Sequence, residues 1–210
     1  NYTSIASSLT SDVIAIYSNY NSYAALKSNG SVVTWGNSTS GGNSSIYNSS
    51  TNTYTSVASS LNSGVVSIYT GDYAYAAIKS DGTVVTWGSA MYGGDSSIFN
   101  AYTSTYTSVS SSLQSGVVAI YSNLNSFAAL KNDGSVITWG YSLYGGDAGS
   151  VSASLTSGVV SIYNTAYAYA ALKSNGSVIT WGSSVEGGNS SSVSASLTSG
   201  VVSIYSTYYA

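Results

Sequence analysis

Apolar residues along this chain come in short runs broken by Gly, Asn, Asp and Ser, a spacing that predicts strands and turns rather than helices. Gly64–Tyr69 reads Gly-Val-Val-Ser-Ile-Tyr, rich in the β-branched and aromatic residues that suit a pleated surface. Tyr75–Lys79 and Thr83–Trp87 are two further strand candidates, separated by Asp81-Gly82. Asn29-Gly30, Asp133-Gly134 and Asn175-Gly176 stand at the same place in other copies of the pattern. Such pairs supply the positive φ of a tight hairpin turn, so these two strands are predicted to pair. A two-residue turn would set Leu26 opposite Val33, Ala24 opposite Trp35 and Lys27 opposite Val32. Apolar groups then occupy both faces, which predicts sheets covered on both sides, as in stacked blades. Ser56–Leu61 is a weaker candidate for a fourth strand. Helix signals are poor, because β-branched residues, Ser and Gly dominate.

The pattern is a tandem repeat. The phrase Ala-Ala-Leu-Lys-Ser-Asn-Gly-Ser-Val-Val-Thr-Trp-Gly at Ala24–Gly36 returns at Ala76–Gly88, Ala128–Gly140 and Ala170–Gly182. Its tryptophans, Trp35, Trp87, Trp139 and Trp181, are spaced by 52, 52 and 42 residues. A second phrase, Ser-[Ile/Val]-x-x-Ser-Leu, begins at Ser4, Ser56, Ser108, Ser150 and Ser192. One array over 1–210 is therefore predicted, with repeats at 4–55, 56–107, 108–149 and 150–191 and a partial repeat at 192–210. The ten extra residues of the long repeats fall near Ile46–Thr55 and Ile98–Thr107, which marks a surface loop or an added hairpin. The fifth repeat stops within Val201–Tyr209, before its Ala-Ala-Leu-Lys. Two readings are open: the array continues, or this strand completes a unit elsewhere, in the same chain or in another copy.

Composition narrows the function. Of the 210 residues 43% are apolar, enough for a core, yet only 5% are charged, so neutral Ser, Thr, Asn and Tyr must keep the protein in water. There is no Cys, His or Pro, and the four basic residues are all Lys. Disulfides, thiol chemistry, the usual zinc and haem ligand sets and a His-dependent triad are thereby excluded. A net charge of −3 argues against nucleic acid as a partner. No apolar run is long enough to span a membrane, and Asn1-Tyr2-Thr3-Ser4 does not read as a signal peptide, so a secreted protein would be represented by its mature chain or a fragment.

From Val66 to Ile78, and on through Lys79-Ser80-Asp81-Gly82-Thr83-Val84-Val85-Thr86-Trp87-Gly88, the repeat resembles the RCC1-type repeat. The shared order is a Val-rich strand, Ala-Leu, Asp-Gly and Trp-Gly. The resemblance implies an all-β chain of propeller-type blades; an open β-stack or β-solenoid is the alternative. Departures are plain. Only Gly71 keeps the family's Gly after the first strand, and Ser22, Ala74, Ser126 and Ala168 stand where the family carries His. The family's nucleotide exchange and chromatin binding are not implied, because no charged surface like theirs is encoded. In its low charge and its Ser, Tyr and Gly, the chain resembles repetitive microbial surface proteins.

The candidate side chains read mostly as structural. Lys27, Lys79, Lys131 and Lys173 recur at one repeat position, each expected to lay its stem on apolar surface with the amine in water. Trp35, Trp87, Trp139 and Trp181 are expected in the repeat core, although Trp also stacks on sugars. Asn43, Asp95, Asp147 and Asn189 sit at Gly-Gly corners, too few carboxylates for Ca²⁺. Asp12, Asp72 and Glu186 show no pairing for acid–base work. No catalytic, cofactor or metal residue is therefore assigned. Asn-x-Ser/Thr occurs at Asn1, Asn29, Asn37, Asn43, Asn48, Asn175 and Asn189, candidate N-glycosylation sites in a secreted protein.

These features predict a non-enzymatic, extracellular or cell-surface structural protein, a building block of a filament, sheath or surface layer. Its partner would be itself, head to tail through Gly200–Ala210, because an uncapped repeat exposes edges. The alternative is a secreted adhesive or carbohydrate-binding propeller that contacts glycans through Tyr92, Tyr102 and Tyr144.

Overall fold

The computed structural model describes residues 5–210, so Asn1 and the opening of the first Ser phrase at Ser4 lie outside the described residues. The fold is all-β, with four sheets in tandem and 3-10 helices between them. The first sheet is β1 (Val13–Ser18), β2 (Ser22–Lys27) and β3 (Val32–Gly36). A hairpin, β4 (Ser45–Asn48) and β5 (Thr53–Ser56), leads to β6 (Val65–Thr70), β7 (Ala74–Lys79) and β8 (Val84–Ser89). The pattern repeats with β9 (Ser97–Asn100), β10 (Thr105–Ser108), β11 (Val117–Ser122), β12 (Ser126–Lys131) and β13 (Val136–Tyr141). The fourth sheet is β14 (Val159–Asn164), β15 (Ala168–Lys173) and β16 (Val178–Gly182). Among the described residues no backbone hydrogen bond joins the first sheet to the last, so the array is open.

The hairpin register differs from the expected one. Leu26 faces Val32, Ala25 faces Val33 and Tyr23 faces Trp35. Lys27 N–H donates to Ser31 O at 2.9 Å and Gly30 N–H to Lys27 O at 2.9 Å, which leaves three residues in the loop. Gly30, at φ 76°, is the left-handed residue of a bulged three-residue turn rather than half of a two-residue one. The added residue moves every pair by one. The expected fourth strand at Ser56–Leu61 is also corrected: its body, Ala58–Leu61, is a 3-10 helix. Ser60 N–H bonds back to Val57 O at 3.0 Å, and Leu61 tucks into the core at 1% exposure.

The ten extra residues of each long repeat form a hairpin, and it serves the next repeat. β4 pairs in parallel with β8, Ile46 opposite Gly88, and β9 pairs likewise with β13. The second and third sheets thereby gain two strands each, in the orders β5-β4-β8-β7-β6 and β10-β9-β13-β12-β11. Two further backbone contacts recur at every junction. Tyr20 N–H donates to Asp72 O at 3.1 Å, Asp72 to Leu124 O at 2.8 Å, Leu124 to Ala166 O at 3.2 Å and Ala166 to Tyr208 O at 2.8 Å. Val65, Val117, Val159 and Val201 donate in the same way to Gly30, Gly82, Gly134 and Gly176 of the repeat before. Residues 201–210 thus take the place of a next first strand, although no strand pairing is formed there.

The core lies between sheets, not within one. Ala24 and Leu26 of the first sheet pack against Leu61, Val65, Ile68, Tyr75, Ala77 and Trp87 of the second repeat. Ala76 and Ile78 point the other way, against Leu113, Val117, Phe127 and Trp139. Alternation along β7 therefore buries both faces, and each unit is stabilised by its neighbours.

Candidate functional site: the repeat junction and the end faces

Each repeat offers its neighbour a stacked aromatic pair. Tyr75 lies on Trp87 with centroids 4.9 Å apart, Phe127 on Trp139 at 5.3 Å and Tyr169 on Trp181 at 5.2 Å. The pairs arise because the hairpin register sets the two residues directly opposite. Each pair rests on a glycine of the preceding repeat. A Cβ on Gly41 would stand 2.7 Å from Trp87 Cδ1, and one on Gly145 2.6 Å from Tyr169 Cδ2. Only a glycine permits that approach, and at φ 95° Gly41 also adopts a backbone that side chains avoid. Trp139 Nε1–H donates to Gly93 O at 3.1 Å and Trp181 Nε1–H to Gly145 O at 3.2 Å. Trp87 Nε1 is buried without a partner.

A polar match distinguishes otherwise similar junctions. Tyr75 hydroxyl lies 3.1 Å from Ser22 Oγ of the preceding repeat. Tyr169 hydroxyl donates to Ser126 O at 2.7 Å and lies 3.2 Å from Ser126 Oγ. At the junction between these two, both hydroxyls are missing together: Phe127 packs with Ala74. Burial pushes the Tyr75 phenol up to about 12 and raises that of Tyr169 further, so both stay neutral and act as hydrogen-bonding groups.

The outer faces of the first and fourth repeats each carry parts of such a junction. On the first repeat, Tyr23 stacks on Trp35 at 5.2 Å, yet Tyr23 is 47% exposed and Trp35 only half-buried. Trp35 thus departs from Trp87, Trp139 and Trp181, which are at most 3% exposed. On the fourth repeat, a cavity of about 160 Å³ lies between Ala168, Tyr169, Gly187, Ile204 and Tyr205. Gly187 occupies the repeat position of Gly41 and Gly145, the seat of an aromatic pair.

The remaining candidates stand apart from these faces. Each Lys amine reaches the 3-10 helix before its own sheet: Lys27 donates to Ser8 O at 3.1 Å, Lys79 to Ser60 O at 3.3 Å, Lys131 to Ser112 O at 3.1 Å and Lys173 to Ser154 O at 2.8 Å. The lysine is a tie between strand and turn, a role that its recurrence in sequence did not reveal. Asn29 and Asn175 lie in hairpin turns, where Oδ1 accepts from the backbone and hydroxyl of Ser31 and Ser177. Asn37 Oδ1 accepts from Thr39 and caps the 3-10 helix Ser38–Ser40. Asn48 and Asn189 accept from Ser50 and Ser191, and Asn43 is exposed. Burial raises the Asp95 carboxyl to about 6, and also raises Asp72. Asp147 is exposed and accepts from Gly149 N–H at 2.8 Å. Among the described residues no three metal-ligating side chains come together, and no helix is long and apolar enough to cross a membrane. Tyr102 is 84% exposed at the tip of the β9–β10 hairpin, whereas Tyr92 and Tyr144 pack among other tyrosines.

These junctions define a tandem-repeat β protein whose units recognise each other face to face. No protein-family model matches the chain, and no curated protein matches it. Among solved structures it is similar to human WBSCR16, with 18% identity and a TM-score of 0.49, and to Prp20p from Saccharomyces cerevisiae, with 19% and 0.49. The structure of Kap60 bound to yeast RCC1 (Prp20) is similar at 20% identity and a TM-score of 0.49. The alignments cover 81% of this chain and 47%, 43% and 42% of those chains, so the chain spans less than half of their length.

Proposed function

We propose that the protein is an extracellular structural building block, assembling head to tail into a filament, sheath or surface layer in the manner of repetitive microbial surface proteins. One observation carries this reading. The Tyr23–Trp35 pair of the first repeat, with Tyr23 exposed, is of the kind that internal junctions seat against a glycine, and an apolar cavity lies beside the equivalent Gly187 on the fourth. Low charge favours close approach of copies, because few ions need to be desolvated. The exposed sequons at Asn29, Asn37, Asn43, Asn175 and Asn189 suit a glycosylated surface, with half-buried Asn48 and Asn1 as further candidates. Ile204, Tyr205, Ser206 and Ala210 form one wall of the cavity, so deleting Gly200–Ala210 removes that wall. Sedimentation of the chain at rising concentration should show growing oligomers, and the deletion variant should stay monomeric. Equal growth by both would overturn the reading.

The exposure of Tyr102 favours a second role in contacting glycans. A glycan array on which the chain and Tyr102→Ala bind equally, or not at all, would remove it.

A further inference from the structure

Six tyrosines run without a break along the array. Ring centroids are 5.9 Å apart from Tyr20 to Tyr73, 5.1 Å to Tyr92, 5.9 Å to Tyr141, 5.2 Å to Tyr144 and 4.9 Å to Tyr167. Three of these contacts cross junctions, one at each junction between full repeats: Tyr20–Tyr73, Tyr92–Tyr141 and Tyr144–Tyr167. Tyr20 is exposed and the other five are half-buried.

The run is not a by-product of repetition. Where Tyr73 and Tyr167 stand, the other two full repeats have Asn21 and Asn125, and the partial repeat has Tyr209. Where Tyr92 and Tyr144 stand, they have Ser40 and Glu186. Tyr141 stands where the other full repeats have Asn37, Ser89 and Ser183, and Tyr20 where they have Asp72, Leu124 and Ala166. The repeats are otherwise close copies, so tyrosine has entered at those variable positions where it extends one continuous contact.

We propose that these junction pairs are sites of oxidative coupling, in which neighbouring phenols of successive repeats are joined by a carbon–carbon bond and the cysteine-free array gains covalent staples. The co-reactant is hydrogen peroxide, used by a haem peroxidase as a one-electron oxidant. Each phenol loses one electron and one proton. The two phenoxyl radicals join through ring carbons next to the hydroxyl, and each ring then regains its aromaticity by moving that carbon's hydrogen to oxygen. The two electrons and two protons reduce the peroxide to two waters. Burial and neighbouring phenols hold Tyr92 and Tyr167 above the ordinary phenol value, so the neutral phenol reacts and the proton leaves with the electron. Coupling within one chain does not depend on head-to-tail assembly.

The test is to oxidise the 210-residue chain, dilute, with peroxidase and hydrogen peroxide, and to map cross-linked peptides by mass spectrometry. Cleavage after lysine separates Tyr92 from Tyr141, so their link joins the peptide 80–131 to the peptide 132–173 with the loss of two hydrogens. That link is expected in the monomer, together with a raised thermal midpoint. Tyr141→Phe keeps the packed ring, should leave the midpoint of the unoxidised chain unchanged and should lose the link entirely. Tyr102, at 84% exposure, and Tyr205, at 91%, are the controls for simple accessibility. Links that fall mainly on those two, or that form between copies and persist in Tyr141→Phe, would overturn the proposal.

Discussion

Removing the Ser22–Tyr75 hydroxyl pair one member at a time should cost more than the pair is worth. Ser22 is 1% exposed and Tyr75 0%. Ser22 Oγ lies 2.8 Å from Asn19 Oδ1, 2.8 Å from Ser40 O and 3.1 Å from Tyr75 hydroxyl. A serine has one proton to give. It goes to Asn19 or Ser40, which accept only, so Tyr75 donates to Ser22. Ser22→Ala leaves a buried phenol without its side-chain acceptor, a cost of about 1–3 kcal/mol. Tyr75→Phe leaves Ser22 with its other two acceptors and should cost about 1 kcal/mol. The double variant recreates the Ala74–Phe127 junction, so it should recover about 1 kcal/mol relative to the sum of the singles. Asn19 stays satisfied throughout, through Ser22 N–H, Asn21 N–H and Ser40 O. Urea unfolding followed by tryptophan fluorescence reads this directly, because Trp87 stacks on Tyr75. Additivity within about 0.3 kcal/mol would refute the claim that the hydroxyls are coupled.

Two further changes probe other parts of the account. Gly41→Ala places a Cβ 2.7 Å from Trp87 Cδ1 on a left-handed backbone, and should lower stability by about 2 kcal/mol or more, visible in the urea midpoint; an unchanged midpoint would show that the close seat is not required. Asp95 holds its proton more tightly when folded, at about 6 against an ordinary 3.8, so its contribution is greatest below about pH 4, falls by roughly 2–3 kcal/mol as pH rises to about 6, and is flat above. Asp95→Asn, the residue type found at Asn43 and Asn189, should flatten that slope and be more stable at pH 7; a slope that survives in the variant would place its origin elsewhere.

The strands and the hairpin were legible in the sequence because β-branched runs and Asx-Gly turns carry local information. Register was not, since Gly30 has a positive φ in both the two-residue turn and the bulged three-residue turn. The insert was readable as a surface loop or a hairpin, but its destination on the next sheet depends on long-range pairing of Ile46 with Gly88, which no local pattern marks. Ser56–Leu61 misled because its β-branched and apolar residues suit a strand, while one buried Leu61 under a short 3-10 helix meets the same need. The exchanges of Ser for Ala and of Tyr for Phe were visible at Ser22, Ala74 and Ser126 and at Tyr75, Phe127 and Tyr169. Only the packing shows that each residue of one set touches the next repeat's member of the other. That Trp35 is only half-buried likewise follows from which face of the array it occupies, not from its motif.

Electron microscopy of the native material tests head-to-tail assembly most directly. The account predicts filaments or sheets whose axial period matches a stacked array, with the Tyr23–Trp35 pair of one copy seated against Ala168 and Gly187 of the next. Discrete rings, or single particles that do not associate at any concentration, would contradict it.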